Sequence, residues 1–94
     1  MDLVKLTRAV AHAETNNGKS GYGKTVNNLC GIMHWPNGQR TIREYDSYQA
    51  GFDSCYSLLK RKYQDYTIEG MAVKWTGNHN PDTWAKNVEY WYNK

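Results

Sequence analysis

The segment Asp2–Glu14, DLVKLTRAVAHAE, constrains the fold more than any other part of the chain. Leu3, Leu6, Val10 and Ala13 recur at helical spacing, and Asp2 stands where an N-cap belongs. Asn16-Asn17-Gly18 then reads as a helix stop. Along the same helix Leu3, Thr7, Val10 and Glu14 follow at i, i+4, i+7 and i+11. Glu14 therefore continues the core-facing stripe rather than the side carrying Lys5, Arg8 and His12. It also falls in the last turn, where the helix dipole disfavours negative charge. Partial burial would disfavour the charged form further. Both effects suit a carboxyl that must hold its proton near neutral pH, as a general acid does. The plain alternative is a terminal Glu that bends into water.

A chain of 94 residues implies one domain, residues 1–94, with a single core. The expected fold class is mainly α (α+β), with one short β-hairpin. Residues 15–29 are rich in Gly, Asn, Ser and Thr and read as a long loop, a length that usually signals function or disorder. Asn37-Gly38 is the strongest short hairpin signal in the chain. Its flanks, 32–35 and 40–45, alternate poorly, so the ribbon should be short and irregular. Ser47 is placed to cap a helix to about Tyr63, with Phe52, Cys55, Tyr56, Leu59 and Tyr63 on its apolar face. Thr67 opens a further helix through Ile68, Met71, Ala72 and Trp75, broken at 76–79. Asn80-Pro81 reads as an N-cap with proline at the first helical position. The last helix carries Trp84, Val88 and Trp91 on one side. The spacing predicts one core shared by Leu6, Val10, Phe52, Tyr56, Leu59, Met71 and Val88.

Four Trp and eight Tyr stand against one Phe. Aromatics with a polar handle suit surfaces packed on one side and wet on the other, as in carbohydrate clefts, although a small core can also absorb them. The 12 basic and 9 acidic residues leave a net charge of +3. That fits attraction to a polyanion such as a cell-wall polymer or nucleic acid, without demanding either. The basic residues look scattered apart from Lys60-Arg61-Lys62, which suits a helix C-terminus. No nucleic-acid motif accompanies them, so nucleic acid is not an expected partner. No apolar run reaches membrane-spanning length, and no stretch reads as a signal peptide, so none is expected. Cys30 and Cys55 are compatible with one disulfide or with two buried thiols. Their spacing, without a nearby Cys/His set, argues against a metal site, and no cofactor is implied.

These pieces, in this order, resemble the lysozyme-like superfamily of peptidoglycan-cleaving enzymes. The pattern is closest to lytic transglycosylases and bacterial endo-N-acetylglucosaminidases. Ala13-Glu14-Thr15-Asn16 resembles the helix end that carries the catalytic Glu in those families. Gly21-Tyr22-Gly23 and Asn27-Asn28-Leu29-Cys30-Gly31-Ile32 are similar to the Gly-aromatic-Gly and Asn-Asn-Leu-Phe-Gly-Ile stretches of the glucosaminidases. Gly31-Ile32-Met33-His34 resembles the transglycosylase Gly-Leu-Met-Gln, with His34 in place of Gln. Tyr45-Asp46-Ser47 matches a Tyr-x-Ser entry into a helix. Lys74-Trp75-Thr76-Gly77 resembles Tyr-Asn-Ala-Gly, with Trp75 in place of Tyr. Asn80-Pro81-Asp82-Thr83-Trp84-Ala85 is similar to the glucosaminidase Asp-Pro-x-Tyr-Ala. The resemblance runs over roughly residues 6–92.

It implies a lysozyme-like fold and an enzyme that cleaves the β-1,4 bonds of the peptidoglycan glycan strand, with Glu14 as general acid and base. Such a bond breaks only if its leaving oxygen is protonated. A hydrolase adds a second carboxylate, for which Glu44 and Asp46 are the candidates. Asp46 also suits the start of the helix at Ser47, and Glu44 a solvated strand face. Transglycosylases of the resembling family use one Glu twice and leave a 1,6-anhydro sugar, the route favoured here. Trp75 and Tyr45 are candidate sugar-stacking residues, Trp75 fitting the core equally well. Asn28 and Met33 are candidate substrate contacts. Asn28 can instead satisfy loop amides, and Met33 can be packing. A glycan-binding module without turnover is the non-catalytic alternative. The expected place of action is the bacterial cell wall or periplasm, with the chain belonging to a phage particle or secretion machine.

Overall fold

Asp2 caps the first helix as its position requires. Its Oδ1 accepts from the amides of Val4 and Lys5, at 3.0 and 3.1 Å, and α1 runs Leu3–Thr15. In this computed structural model, residues 1–17 and 26–94 are described. Most of the expected long loop, with Gly21-Tyr22-Gly23, lies outside the described residues. After α1 the chain turns left-handed at Asn16 and Asn17, with φ of 50° and 58°. Asn tolerates that conformation better than other non-glycine residues. Their amides reach back to the carbonyls of His12 and Ala11, which closes the helix one residue beyond Glu14.

The hairpin follows the Asn-Gly signal in register, and its strands are short, as the poorly alternating flanks predict. Strand β1 (Met33–His34) pairs antiparallel with β2 (Thr41–Ile42), Met33 opposite Ile42 and His34 opposite Thr41. Continued towards the tip, the same register sets Pro36 opposite Gln39, and the Gln39 amide bonds the Pro36 carbonyl at 3.2 Å. Asn37 and Gly38 both have positive φ, 56° and 79°, as a two-residue hairpin turn demands. Pro36 lacks an N–H to return that bond, so the ladder is interrupted near the tip. On the other side it reaches Arg43, whose amide bonds the Ile32 carbonyl at 3.0 Å.

Helix α2 spans Tyr48–Tyr63, capped by Ser47, whose Oγ accepts from the Ala50 amide at 3.1 Å. Gly51 sits mid-helix because a Cβ there would lie 1.8 Å from the Asn27 carbonyl oxygen. Loop backbone is thus laid directly on α2. Helix α3 spans Ile68–Thr76, with Thr67 capping the Gly70 amide at 2.9 Å. Helix α4 spans Pro81–Tyr92. Asn80 holds the N-cap position with φ of 51°, but its side chain makes no capping bond. A left-handed backbone there replaces the extended one a side-chain cap uses, so that expectation holds for position only.

Among the described residues these are four helices and one two-stranded sheet, a mainly α fold with a small hairpin. The element contacts are dominated by α1 on α4 and α3 on α4, followed by α1 on α2. Leu6, Val10, Leu59, Met71 and Val88 are fully buried in one cluster, with Phe52 partly buried against it. Tyr56 is half-buried and lies outside that cluster, a correction to the predicted helix face. The two cysteines form a disulfide, Cys30–Cys55, with Cα atoms 5.9 Å apart. It fastens the segment before the hairpin to the buried side of α2. No helix among the described residues is long and apolar enough to cross a membrane.

Candidate active site

Glu14 leaves the last turn of α1 at the edge of an open cleft of about 800 Å³. The next residue fixes that helix end. Thr15 is 8% exposed, and its hydroxyl donates to the Leu29 carbonyl at 2.7 Å. Thr15 takes the inward position, and Glu14 is exposed rather than partly buried. This corrects the sequence expectation. Thr7 and Val10 are fully buried, but the buried stripe does not continue to Glu14.

Two indoles reach the carboxylate. Trp75 Nε1 and Trp84 Nε1 each donate to Glu14 Oε1 at 2.8 Å. Trp75 comes from the last turn of α3 and Trp84 from the first turns of α4. Their rings stack at a centroid distance of 5.8 Å and 27°. The left-handed residues Gly77, Asn78 and Asn80 reverse the chain tightly enough to bring these turns side by side. Tyr63 packs on the far side of Trp75 at 5.7 Å. The other carboxylate oxygen, Oε2, faces Gly31 (φ 67°), where an added Cβ would sit 3.6 Å away. Among the described residues no donor bonds Oε2.

Trp75, expected either in the core or on a sugar, therefore has a further task as a donor to Glu14. Met33 lines the cleft with Ile32 and Trp35 on the hairpin side. Asn28 does not: it is fully buried. Its Nδ2 donates to the carbonyls of Ile32 and Arg43, both at 2.7 Å, and its Oδ1 accepts from the Ile32 amide at 2.9 Å. Both Nδ2 hydrogens and one of the two Oδ1 lone pairs are engaged with loop backbone, so Asn28 shapes the hairpin base. Tyr45 also stands away from the cleft. Its hydroxyl bonds Ser54 Oγ at 2.6 Å and its backbone joins Val26 and Asn27, so it anchors the hairpin to α2.

Glu14 is the one carboxylate lining the cleft among the described residues, and residues 18–25 contain no Asp or Glu. Glu44 borders a separate pocket on the hairpin. Asp46 is exposed beside the α2 cap. The basic residues are less scattered than the sequence suggests. Arg40 and Arg43 from the hairpin side and Arg61 and Lys62 from the end of α2 all line the cleft.

Sequence reasoning missed Trp84 as a site residue. The signal was its place one turn into a helix opened by Pro81, within the stretch resembling Asp-Pro-x-Tyr-Ala. His12 was assigned to a basic face, yet its ring stacks on Trp91 at 4.1 Å.

The chain thus combines a helical scaffold and a small hairpin with an open groove that has a carboxylate on its helical wall. The chain belongs to the glucosaminidase family: the family model described as mannosyl-glycoprotein endo-beta-N-acetylglucosaminidase matches residues 3–94. It is accordingly a glycosidase for peptidoglycan-type glycan. No curated protein and no solved structure matches the chain.

Proposed function

We propose that this chain cleaves β-1,4 bonds of the peptidoglycan glycan strand, with Glu14 as general acid and then general base in a lytic transglycosylase reaction. Glu14 carries this reading as the cleft's one carboxylate among the described residues. In the first step its proton passes to the leaving glycosidic oxygen as the bond from that oxygen to C1 breaks. In the second, the carboxylate takes the proton of the same sugar's 6-hydroxyl as that oxygen bonds C1. The enzyme ends protonated as it began, and the product carries a 1,6-anhydro ring. A hydrolase of the usual two-carboxylate kind needs a second group about 5–10 Å away to engage water or the sugar, and Glu44 and Asp46 lie outside the cleft lining.

Hydrolysis is the second reading, favoured by the glucosaminidase description of the family. It too can run with one protein carboxylate if the sugar's own acetamido group attacks C1. The two leave different ends, anhydro or reducing. Mass spectrometry of fragments released from purified peptidoglycan separates them. Anhydro ends are expected, and reducing ends alone would replace the transglycosylase reading.

The basic residues around the cleft suit the carboxylates of wall peptides and lactyl groups. The Cys30–Cys55 bridge supports work in an oxidising space such as the periplasm or cell surface, reached as part of a phage particle or secretion machine.

A further inference from the structure

We infer that Trp75 and Trp84 form a paired-indole clamp that fixes Glu14 Oε1 as a doubly accepting oxygen, leaving Oε2 as the oxygen that gives and takes the proton. This rests on the catalytic reading of Glu14 and deepens it.

An indole N–H can only donate. A carboxylate oxygen offers two lone-pair positions in its plane. With Trp75 Nε1 and Trp84 Nε1 both at 2.8 Å, both positions on Oε1 are filled. A proton on Oε1 would have to displace one of these bonds and leave an indole N–H without its acceptor. A proton on Oε2 displaces no bond from the described residues. The acid form is therefore selected as a single arrangement, with the hydroxyl on the oxygen facing Gly31. Glycine at that point keeps a side chain from standing beside Oε2.

The clamp also fixes direction. Glu14 is exposed, and an exposed glutamate samples many rotamers. Two donors on different helices, 61 and 70 residues away in sequence, confine it to one. Stacking of the two rings on each other, and the tilted packing of Tyr63 against Trp75, hold the donors themselves. A proton donor must sit within hydrogen-bond reach of the oxygen it protonates, and a misplacement of about 1 Å can cost about 10²-fold. The indoles are thus positioning residues that act through Glu14.

The test uses the full chain with Trp75→Phe, Trp84→Phe and the double variant, which keep a ring for stacking and lose the N–H. Each single change should lower kcat on purified peptidoglycan about 10-fold, and the pair about 10²-fold, with KM nearly unchanged. An independent readout covers the case in which a Phe variant folds poorly. In the 15N-correlated spectrum of the otherwise unaltered chain, Glu14→Ala should move the indole N–H signals of Trp75 and Trp84 and leave those of Trp35 and Trp91 in place. Wild-type kcat in the folded double variant overturns the inference, as do unmoved Trp75 and Trp84 signals. If Glu14→Gln is inactive while the double Phe variant turns over normally, the clamp fails and the catalytic reading stands. If Glu14→Gln cleaves at the wild-type rate, the catalytic reading fails and takes the clamp's kinetic role with it.

Discussion

On the helical side of the cleft, Glu14, Trp75 and Trp84 leave the ends of α1 and α3 and the start of α4, three helices that share one core. On the opposite side, Met33, Trp35 and Arg40 belong to a ribbon whose paired strands are two residues long. The two sides can do different work. Proton transfer needs a donor held to a fraction of an ångström, which packed helices provide and loops do not. A two-stranded ribbon has little stability of its own and can adjust to a substrate. Trp35, 62% exposed, is an apolar ring offered to whatever enters. On the proposed function, chemistry belongs to the helical wall and recognition to the hairpin wall.

The largest expected effect breaks the helical wall. Glu14→Gln keeps shape and can still accept from both indoles, but it has no proton to deliver. Cleavage of purified peptidoglycan should fall at least about 10³- to 10⁴-fold, with the thermal midpoint little changed. A release rate within tenfold of wild type would move the chemistry away from this wall.

Next comes the fastening between the walls. Cys30 lines the cleft and Cys55 is buried in α2, so the bridge ties the hairpin base to the helical body. It spans 25 residues of sequence, and closing a loop of that size is worth about 3–4 kcal/mol in the chain-entropy account. Replacing both cysteines by Ser should lower stability in urea by about that amount. A loss below about 1 kcal/mol would mean that other contacts already hold the hairpin base.

Much of the helical wall was legible in the sequence because its causes are local. Asp2, Ser47 and Thr67 each accept from the amide the capping pattern predicts, and Glu14 was visible as a carboxylate at a helix end. Asn37-Gly38 set the hairpin register for the same reason. Its strand length depended on Pro36, which interrupts the ladder from inside the turn. The illegible parts are those made by distant residues meeting. The paired indoles arise only when α3 and α4 fold back onto α1. Arg40, Arg43, Arg61 and Lys62 come from two separate segments, so their shared cleft could not be read from spacing. The positions of Asn28 and Tyr45 behind the cleft lining were not legible either, because a polar or aromatic residue in a matching motif reads alike whether it faces the cleft or braces the loop behind it.

A smaller effect should mark the recognition role. Arg40 on the hairpin side and Arg61 at the end of α2 line the cleft, and both are exposed. Exposed charges contribute up to about 1 kcal/mol each. Arg40→Gln and Arg61→Gln should therefore each raise KM for peptidoglycan by about 2- to 5-fold and leave kcat alone. Wild-type KM should also rise with salt, less steeply in the variants. An effect on kcat instead of KM would blur the division between the walls.

The smallest expected effect is also the sharpest test of how many carboxylates the reaction uses. Glu44 lines a separate pocket with His34, Thr41, Ile42 and Arg43, and Asp46 is exposed beside the helix cap at Ser47. Neither lines the groove that holds Glu14. If one carboxylate serves both steps, Glu44→Gln and Asp46→Asn are surface changes, worth at most about 0.5 kcal/mol in stability and less than about twofold in kcat. A two-carboxylate hydrolase would behave otherwise. The hairpin would have to bring Glu44 or Asp46 across to the sugar, and its removal would cost as much as removing Glu14. Measuring both rates beside the end groups of the released fragments decides the matter. Near-normal rates with anhydro ends keep chemistry on the helical wall alone. A collapse in either variant, with reducing ends, makes the hairpin side a catalytic partner and removes the division of labour between the walls.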